Sequence, residues 1–241
     1  MEFEIKTVTA YPEIVDKTDK RFSESAGEWN LHIQKSRDDV STCKLSASQI
    51  AAKRAFDILV ALTACVAFSP AIVVIALLIW LDDFHSPIFS QKRVGMRGKE
   101  FVIYKFRSMR IDSESDGIPR LCEENDSRLT RIGAFLRSHH LDEFPQLWNV
   151  LKGDMSIVGP RPERPYFTKK IIEKYPDYIL LFRLRPGLFS EATLYNGYTE
   201  TVDQMVRRAE MDIDYLRDYS FTRDLKIIYE TTVSIIGGKK F

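Results

Sequence analysis

The chain has 241 residues, of which 44% are hydrophobic and 29% are charged, and its formal net charge is +1. That length is sufficient for one domain with a hydrophobic core and an appendage. The near-neutral charge argues against a general nucleic-acid-binding protein, which normally has a clear basic excess. Cys43, Cys65 and Cys122 lie far apart and away from any histidine cluster, so neither a disulfide framework nor a zinc site is expected.

The N-terminal part of the chain, residues 1–50, is polar and charged and has no signal-peptide pattern. It begins with a strand-like stretch, EFEIKTVTAY, and contains no repeat or low-complexity tract. We predict an N-terminal extension to which the sequence assigns no role.

A long apolar run from Ala55 to Leu81 contains a single charged residue, Asp57. Such a run is typical of a membrane-inserted helix, because the buried helix of a soluble core is seldom apolar on every side for so long. We therefore predict a membrane helix within residues 51–87, with a buried core helix as the weaker alternative.

Ser69-Pro70, near the middle of the run, favours a helix that enters and leaves the membrane on one side. Proline removes a hydrogen bond and kinks a helix, and each half is then too short for a hydrocarbon layer roughly 30 Å thick. Basic residues flank both ends, Lys53-Arg54 before the run and Lys92-Arg93 after it, which suits two cytoplasmic ends. The predicted topology is a re-entrant helix–break–helix; a spanning helix that contains a proline stays open as the alternative.

A small β-hairpin is predicted after the membrane segment, with two short strands joined through Gly95 and Gly98. Lys105 and Arg107 share one face of the second strand, because side chains alternate along a strand. The stretch carries seven basic residues against one acidic residue, Glu100. Its basic surface suits either anionic lipid headgroups or a substrate phosphate, and Lys105 and Arg107 are candidates for binding that phosphate.

The stretch DSRLTRIGAFLRSHH carries apolar residues at helical spacing and predicts an amphipathic helix that ends near His139-His140. The two histidines have no metal-ligand partner at a suitable spacing and are interpreted as ordinary polar residues.

The next stretch, LDEFPQLWNVLKGD, places two adjacent carboxylates, Asp142 and Glu143, at the start of a predicted short helix. Asp142 is the predicted N-cap, Pro145 fits the first turn and Gly153 ends the helix. Backbone N–H groups and the helix dipole favour negative charge there, so both carboxylates are expected to be ionised. The residues of the predicted packed face are Phe144, Leu147, Trp148 and Leu151.

The cations around the two carboxylates are what suggest catalysis, since acidic residues at a helix start usually serve only as caps. Arg161 stands between two prolines of fixed φ in GPRP, so its guanidinium is pre-organised for a phosphate. Arg137 precedes Asp142 by five residues, and Lys105 and Arg107 form a second basic pair. Two carboxylates beside several cations indicate phosphoryl transfer with a divalent metal.

Four stretches together resemble the bacterial sugar transferases, the monotopic polyprenyl-phosphate phosphoglycosyl transferases. They are KRAFDILVA with the later Ser-Pro, FVIYKFRSM, LDEFPQLWNVLKGDMSIVGPRP and DLKIIYET, and the resemblance runs from about Lys53 to the C-terminus. It implies an α+β, mostly helical monotopic enzyme, in contact with membrane lipids on the cytoplasmic face of the bacterial inner membrane. The phosphoglycosyl transferase domain would comprise residues 88–241. Nucleic acid is not an expected partner, and a homodimer is left open.

The resemblance also implies a reaction. The enzyme would transfer a phosphosugar from a UDP-sugar to undecaprenyl phosphate, release UMP and so initiate glycan assembly. Asp142 would be the nucleophile that forms a covalent intermediate, Glu143 would help to hold Mg²⁺, and Arg137 would position the lipid phosphate. This chemistry is reasonable, because a carboxylate can attack phosphorus and the acyl phosphate that results is reactive enough to pass its group on.

One segment departs from the family pattern. Family members commonly read PGITGWAQVNGR after the catalytic stretch, whereas this chain reads RPGLFSEATLYNGYTE from Arg185 to Glu200. Contacts to the nucleotide and the sugar therefore do not carry over, and the sequence specifies neither the sugar nor the glycan. Arg185 is retained as a candidate phosphate contact, with a solvated surface position as its alternative.

Two other classes of protein compete with this interpretation. A catalytically silent, membrane-anchored scaffold is expected to have lost the dyad or the phosphate-binding arginines, all of which are present here. A single-pass anchored basic domain that binds nucleic acid or lipid headgroups is disfavoured by the near-neutral net charge.

Overall fold

The computed structural model describes residues 46–114, 119–122, 126–197 and 199–237. The predicted N-terminal extension lies almost wholly outside them. Within the described ranges the chain is mostly helical with little sheet, which confirms the α+β, mostly helical prediction. In chain order the elements are α1 (Ala47–Asp83), β1 (Ile88–Val94), β2 (Glu100–Phe106), α2 (Arg131–Ser138), α3 (Gln146–Lys152), β3 (Ser156–Val158), α4 (Pro165–Lys174), β4 (Gly187–Phe189), α5 (Glu191–Asn196), α6 (Val202–Arg217) and α7 (Phe221–Ile236). Three-residue 3₁₀ turns lie at Met96–Gly98 and Leu141–Glu143, and a longer 3₁₀ segment lies at Pro176–Arg183.

The predicted hairpin is confirmed. β1 and β2 pair antiparallel from Ile88 opposite Phe106 to Val94 opposite Glu100. Gly98 has a φ of 68°, a left-handed conformation that glycine adopts without strain, and this explains its place in the turn. The predicted amphipathic helix is α2, which begins after the N-cap Thr130 and ends at Ser138.

A second pair of strands was not predicted. β3 and β4 pair in parallel, with Ser156 opposite Gly187 and Val158 opposite Phe189. The backbones approach closely just beyond β3: a Cβ built on Gly159 would lie 2.4 Å from the carbonyl oxygen of Arg185. Only glycine fits there, and the Gly159–Pro162 loop is held against the chain around Gly187.

α1 is a single helix of 37 residues that runs through Ser69 and Pro70, so it has no non-helical break at the predicted position. It is long and apolar enough to cross a membrane by length and composition. Its middle, residues 66–71, is exposed throughout, and Val66 is 68% exposed. The predicted break in the helix was therefore wrong, whereas re-entrant insertion into the membrane stays a prediction.

Both ends of α1 are attached to the same folded domain. At the first end Asp57 accepts hydrogen bonds from Ser156 Oγ (3.0 Å) and Ile157 N (2.9 Å). At the other end Arg107 Nη2 donates to Asp83 Oδ1 (2.6 Å). Between them the rings of Phe68 and Phe144 stack with centroids 5.0 Å apart. The apolar helix is therefore joined to the domain before, at and after its exposed middle.

Candidate active site

The two carboxylates lie in the 3₁₀ turn Leu141–Glu143, ahead of α3. Asp142 is not the N-cap of α3, because the cap position is Pro145; that part of the prediction was wrong. The turn is entered through His140, whose φ of 55° is left-handed. This local reversal separates α2 from α3 and directs Asp142 inward, where it is 4% exposed.

Glu143 is paired with two of the predicted cations. Lys105 Nζ donates to Glu143 Oε1 at 2.5 Å, and both side chains are 15% exposed. Arg161 Nη2 lies 3.6 Å from the same oxygen. Lys105 from β2 and Arg161 from the Gly159–Pro162 loop thus converge on one carboxylate.

The two carboxylates, both of which were expected to be ionised, differ in the direction in which their pKa values are shifted. Burial raises the pKa of Asp142, the charge of Lys105 opposes that rise, and the charge of Glu143 adds to it. Burial would also raise the pKa of Glu143, but Lys105 and Arg161 hold it well below its usual range. Glu143 is therefore a fixed anion, whereas Asp142 is the more basic carboxylate.

Asn149 holds α3 against the hairpin, a contact that the sequence did not reveal. It is fully buried, and its side-chain amide donates to Val102 O (2.7 Å) and accepts from Tyr104 N (3.1 Å). The amide thus occupies the hydrogen-bonding positions of a neighbouring strand along β2. This pairing sets the register of β2 on α3 and places Lys105, one residue beyond Tyr104, opposite Glu143.

Three residues of the predicted packed face, Phe144, Leu147 and Leu151, pack against the core, whereas the fourth, Trp148, does not. Leu147 and Val150 are buried with Asn149, while Trp148 is 61% exposed. Because Asn149 faces β2, the neighbouring Trp148 faces outward, and the apolar spacing in the sequence did not predict this.

A cavity of about 240 Å³ opens beside the turn and is lined by Asp142, Lys105, Arg137 and Arg161. Among the described residues that line it, ten are basic (Arg or Lys) and three are acidic. Glu143 does not line it, so Asp142 is the member of the dyad that meets the cavity. A pocket with this charge balance suits a ligand that carries several negative charges.

Arg137 is brought to the cavity, where its positive charge helps to lower the pKa of Asp142 against the effect of burial. Its guanidinium also donates to the thiol of Cys122, a neighbour that the sequence did not indicate. Within the described ranges neither Cys65 nor Cys122 is joined in a disulfide.

Arg107 and Arg185 have structural partners. Arg107 lines the cavity, but its guanidinium pairs with Asp83 and its Nε donates to Ser86 O at 2.9 Å, so it also fastens the end of α1. Arg185 Nε donates to Gly153 O at 3.1 Å, at the C-terminal end of α3, and it is not among the residues that line the cavity. The structure therefore does not bring Arg185 to the other candidates.

The residues at the turn fit one kind of Mg²⁺ site. In the described ranges no three His, Cys, Asp or Glu side chains are grouped to hold a metal ion, and Glu143 Oε1 already accepts from Lys105. Mg²⁺ commonly binds through one or two carboxylates together with substrate phosphates. Glu143 fits an ion held in that way, and the described residues at the turn do not fit a metal centre built from protein ligands alone.

Comparisons with known proteins agree with this geometry. The family model described as bacterial sugar transferase matches residues 48–238. The chain is 39% identical over 186 residues (77% of this chain, 44% of the relative) to a UDP-N-acetylgalactosamine-undecaprenyl-phosphate N-acetylgalactosaminephosphotransferase of Aeromonas hydrophila. It is 38% identical over 186 residues (76% of this chain, 69% of the relative) to a UDP-glucose:undecaprenyl-phosphate glucose-1-phosphate transferase of Caulobacter vibrioides. An exopolysaccharide production protein of Rhizobium leguminosarum bv. phaseoli is 39% identical over 196 residues, which are 78% of this chain and 98% of the relative.

The chain spans 44% of the length of the Aeromonas hydrophila relative and 39% of the length of a similar protein of Escherichia coli, a UDP-glucose:undecaprenyl-phosphate glucose-1-phosphate transferase. The matched region nevertheless contains all of α1 except its first residue, together with the hairpin, the dyad turn and the cavity wall. The chain therefore belongs to the bacterial sugar transferase family.

Proposed function

We propose that this protein transfers a sugar phosphate from a UDP-sugar to undecaprenyl phosphate, releases UMP and thereby initiates glycan assembly. The observation that carries the proposal is Asp142, a basic carboxylate that lines a cavity rich in cations and stands beside the fixed ion pair of Glu143 and Lys105. The names of two relatives supply the donor and acceptor classes. The relatives from Aeromonas hydrophila and Caulobacter vibrioides are both named for transfer to undecaprenyl phosphate, one from UDP-N-acetylgalactosamine and the other from UDP-glucose.

In the proposed first step an oxygen of the Asp142 carboxylate attacks the sugar-bearing phosphorus of the donor. The bond between that phosphorus and the bridging oxygen of the diphosphate breaks, and its electron pair leaves with UMP. Lys105, Arg137 and Arg161 stand around the cavity, where fixed positive charges stabilise the negative charge that develops on the phosphoryl oxygens. A bound Mg²⁺ would neutralise diphosphate charge, and Glu143 is the residue that would help to hold it.

In the proposed second step a phosphate oxygen of the lipid attacks the same phosphorus. The bond to Asp142 breaks and the carboxylate is regenerated, so the lipid carries a sugar diphosphate. A covalent intermediate lets a soluble donor and a membrane-bound acceptor use one site in turn. Arg137 is the residue that we assign to the lipid phosphate.

Measuring UMP release tests the reaction. Purified full-length protein with Mg²⁺ and undecaprenyl phosphate is expected to release UMP from at least one of a panel of UDP-sugars, together with an equal amount of lipid-linked product. Absence of UMP with every donor, from protein that melts cooperatively, would favour the catalytically silent scaffold.

The attachments of α1 support insertion from one side of the membrane. Because Asp57 and Asp83 both bind the same folded domain, that domain would have to lie on both sides of the bilayer if α1 crossed it. The exposed middle of α1, residues 66–71, would enter the hydrocarbon with Phe68 still stacked on Phe144 of the domain. We propose that it enters from the cytoplasmic face.

Cysteine labelling tests this topology. Ser48 and Ser90, which are exposed on either side of the apolar run, are changed singly to cysteine after Cys43, Cys65 and Cys122 have been replaced by serine. Both positions are expected to react with an impermeant maleimide in inverted inner-membrane vesicles and to be protected in spheroplasts. Labelling from opposite sides would show that α1 spans the membrane, and labelling of both in spheroplasts would place the domain outside the cytoplasm.

A further inference from the structure

The Pro160–Arg161–Pro162 loop has few backbone hydrogen-bond donors through which the rest of the protein can bind it. Proline has no N–H, so Arg161 supplies the one backbone donor of these three residues. That donor binds Asp212 Oδ2 at 3.1 Å. The carbonyl of Pro160 accepts from Gly187 N at 2.9 Å, and the carbonyl of Pro162 accepts from Arg93 Nη1 at 3.2 Å.

Asp212 joins this loop to the residue that precedes α5, Ser190. Asp212 lies in α6 and is 2% exposed, and its other oxygen, Oδ1, accepts from Ser190 Oγ at 2.9 Å. Ser190 is the N-cap of α5, because its side chain also accepts from Thr193 N at 3.2 Å. One carboxylate therefore binds both the Arg161 backbone and Ser190, which lies inside the segment that departs from the family pattern.

Arg208 makes the same kind of connection one helical turn earlier on α6. Its Nη2 donates to Gly197 O at 2.7 Å, and its Nη1 donates to Glu163 Oε1 at 3.4 Å. Residues four apart lie on one face of a helix, so Arg208 and Asp212 present two buried charges of opposite sign to the same two segments. Each charge makes one bond to residues 161–163 and one to residues 190–197.

We propose that Asp212 is a positioning residue for the phosphate subsite, which fixes the backbone of Arg161 so that its guanidinium stays beside Glu143 and the cavity. The proposal rests on the proposed function, in which Arg161 meets the donor diphosphate. Asp212 itself does not touch substrate. Its effect on donor binding passes through the Arg161 side chain, 3.6 Å from Glu143.

Burying a carboxylate at this position costs free energy of folding, so stabilisation of the fold alone is a weaker explanation for Asp212. Burial raises the pKa of Asp212 to about 7; hydrogen bonds from Arg161 and Ser190 and the charge of Arg208 oppose the rise, and the charge of Glu163 adds to it. Asn at this position keeps one acceptor oxygen and removes the buried charge. Asp212→Asn is therefore expected to fold.

The test is a double-mutant cycle between Asp212→Asn and Arg161→Ala in the full-length protein. Its readouts are the dissociation constant of UDP with Mg²⁺, measured by calorimetry, and kcat/KM for UMP release. Arg161→Ala is expected to lower UDP affinity and kcat/KM by about 100-fold. Asp212→Asn is expected to lower each by about tenfold, because a neutral amide oxygen is a weaker acceptor for the Arg161 N–H than a carboxylate oxygen. In the Arg161→Ala background Asp212→Asn is expected to change neither by more than about threefold, because the side chain on which Asp212 acts is gone.

Asp224→Asn is the matched control. Asp224 is fully buried and accepts from Lys53 Nζ (2.6 Å) and Tyr215 Oη (2.6 Å) at the junction of α1, α6 and α7. The same substitution removes a buried, hydrogen-bonded carboxylate that has no contact with Arg161. Any effect of Asp224→Asn on UDP affinity is expected to be the same with and without Arg161.

Additive effects of Asp212→Asn and Arg161→Ala would overturn the positioning role, whether or not the wild-type protein turns over. Wild-type protein that neither binds UDP nor releases UMP would overturn the proposed function, and the positioning role with it. Asp212→Ser, which also keeps an acceptor oxygen, replaces Asp212→Asn in the cycle if the latter does not melt cooperatively.

Discussion

Asp142→Asn is expected to abolish the covalent phosphosugar adduct and to lower UMP release by at least about 10³-fold. Asn has nearly the same shape as Asp, but an amide does not attack phosphorus. Asp142 is 4% exposed and burial raises the pKa of its carboxyl group, so removing the charge relieves a desolvation cost. The melting temperature is expected to stay level or rise, which separates loss of chemistry from loss of fold.

Intact mass spectrometry measures the adduct directly. Wild-type protein incubated with Mg²⁺ and the productive UDP-sugar, without lipid acceptor, is expected to gain the mass of one sugar phosphate. Asp214→Asn is the control: it makes the same change at a side chain that is 65% exposed on α6, and it is expected to form the adduct fully.

Two results would contradict this mechanism. An adduct of equal size on Asp142→Asn would assign the attack to another side chain, with Glu143 the nearest candidate. UMP release by wild-type protein only when acceptor is present, with no adduct at any time, would indicate direct transfer from donor to lipid.

Local sequence patterns were sufficient for the elements whose structure is decided locally. Gly95 and Gly98 predicted the hairpin, because a tight turn requires backbone conformations that glycine tolerates. Apolar residues at helical spacing predicted α2. Lys105 and Arg161 were correctly placed beside the dyad, since strand alternation and flanking prolines are readable along the chain.

Contacts between distant segments account for what the sequence did not show. β3 and β4 have three residues each and lie far apart in the chain, so neither carries a pattern of its own. The exposure of Trp148 follows from the bond between Asn149 and β2, and the placement of Arg185 follows from its bond to Gly153. Asp212 is an acidic residue in an amphipathic helix, and its burial follows from its partners in the Arg161 loop and at Ser190.

Proline in α1 illustrates the same point. Ser69-Pro70 predicted a break, yet α1 is continuous through it. The Ser69 hydroxyl donates to Val66 O at 2.8 Å, which satisfies one of the carbonyls near the proline. Side-chain hydrogen bonds of this kind let a proline stay within an apolar helix. The basic residues at both ends of the apolar run are consistent with the attachment of both ends of α1 to one domain.

Lys105→Met is expected to reduce kcat by about 100-fold or more and to change the pH dependence of the reaction. Lys105 Nζ lies 2.5 Å from Glu143 Oε1, and its charge also acts on Asp142. Without it, Glu143 keeps Arg161 at 3.6 Å, while two buried carboxylates stand next to each other with less positive charge. Repulsion between them opposes ionisation of the nucleophile.

The direction of the pH effect follows from the role of Asp142. The carboxylate must be ionised to attack, so the rate rises as pH rises through its pKa. Burial raises that pKa and Lys105 lowers it, so removing Lys105 raises it further. The acid limb of the kcat profile is therefore expected to move to higher pH in Lys105→Met, and the loss of activity is expected to be greatest at low pH.

Lys92→Met is the matched control for this variant. Lys92 belongs to the same hairpin, is 69% exposed and pairs with Glu100 at 3.6 Å, and exposed pairs of this kind contribute little. Its pH profile is expected to coincide with that of the wild type. If Lys105→Met lowered kcat equally at every pH, Lys105 would act on the transferred phosphoryl group alone and would not set the charge of Asp142. A shift of the acid limb would therefore show that Lys105 acts on the nucleophile, whereas an unshifted limb would show that it acts on the substrate.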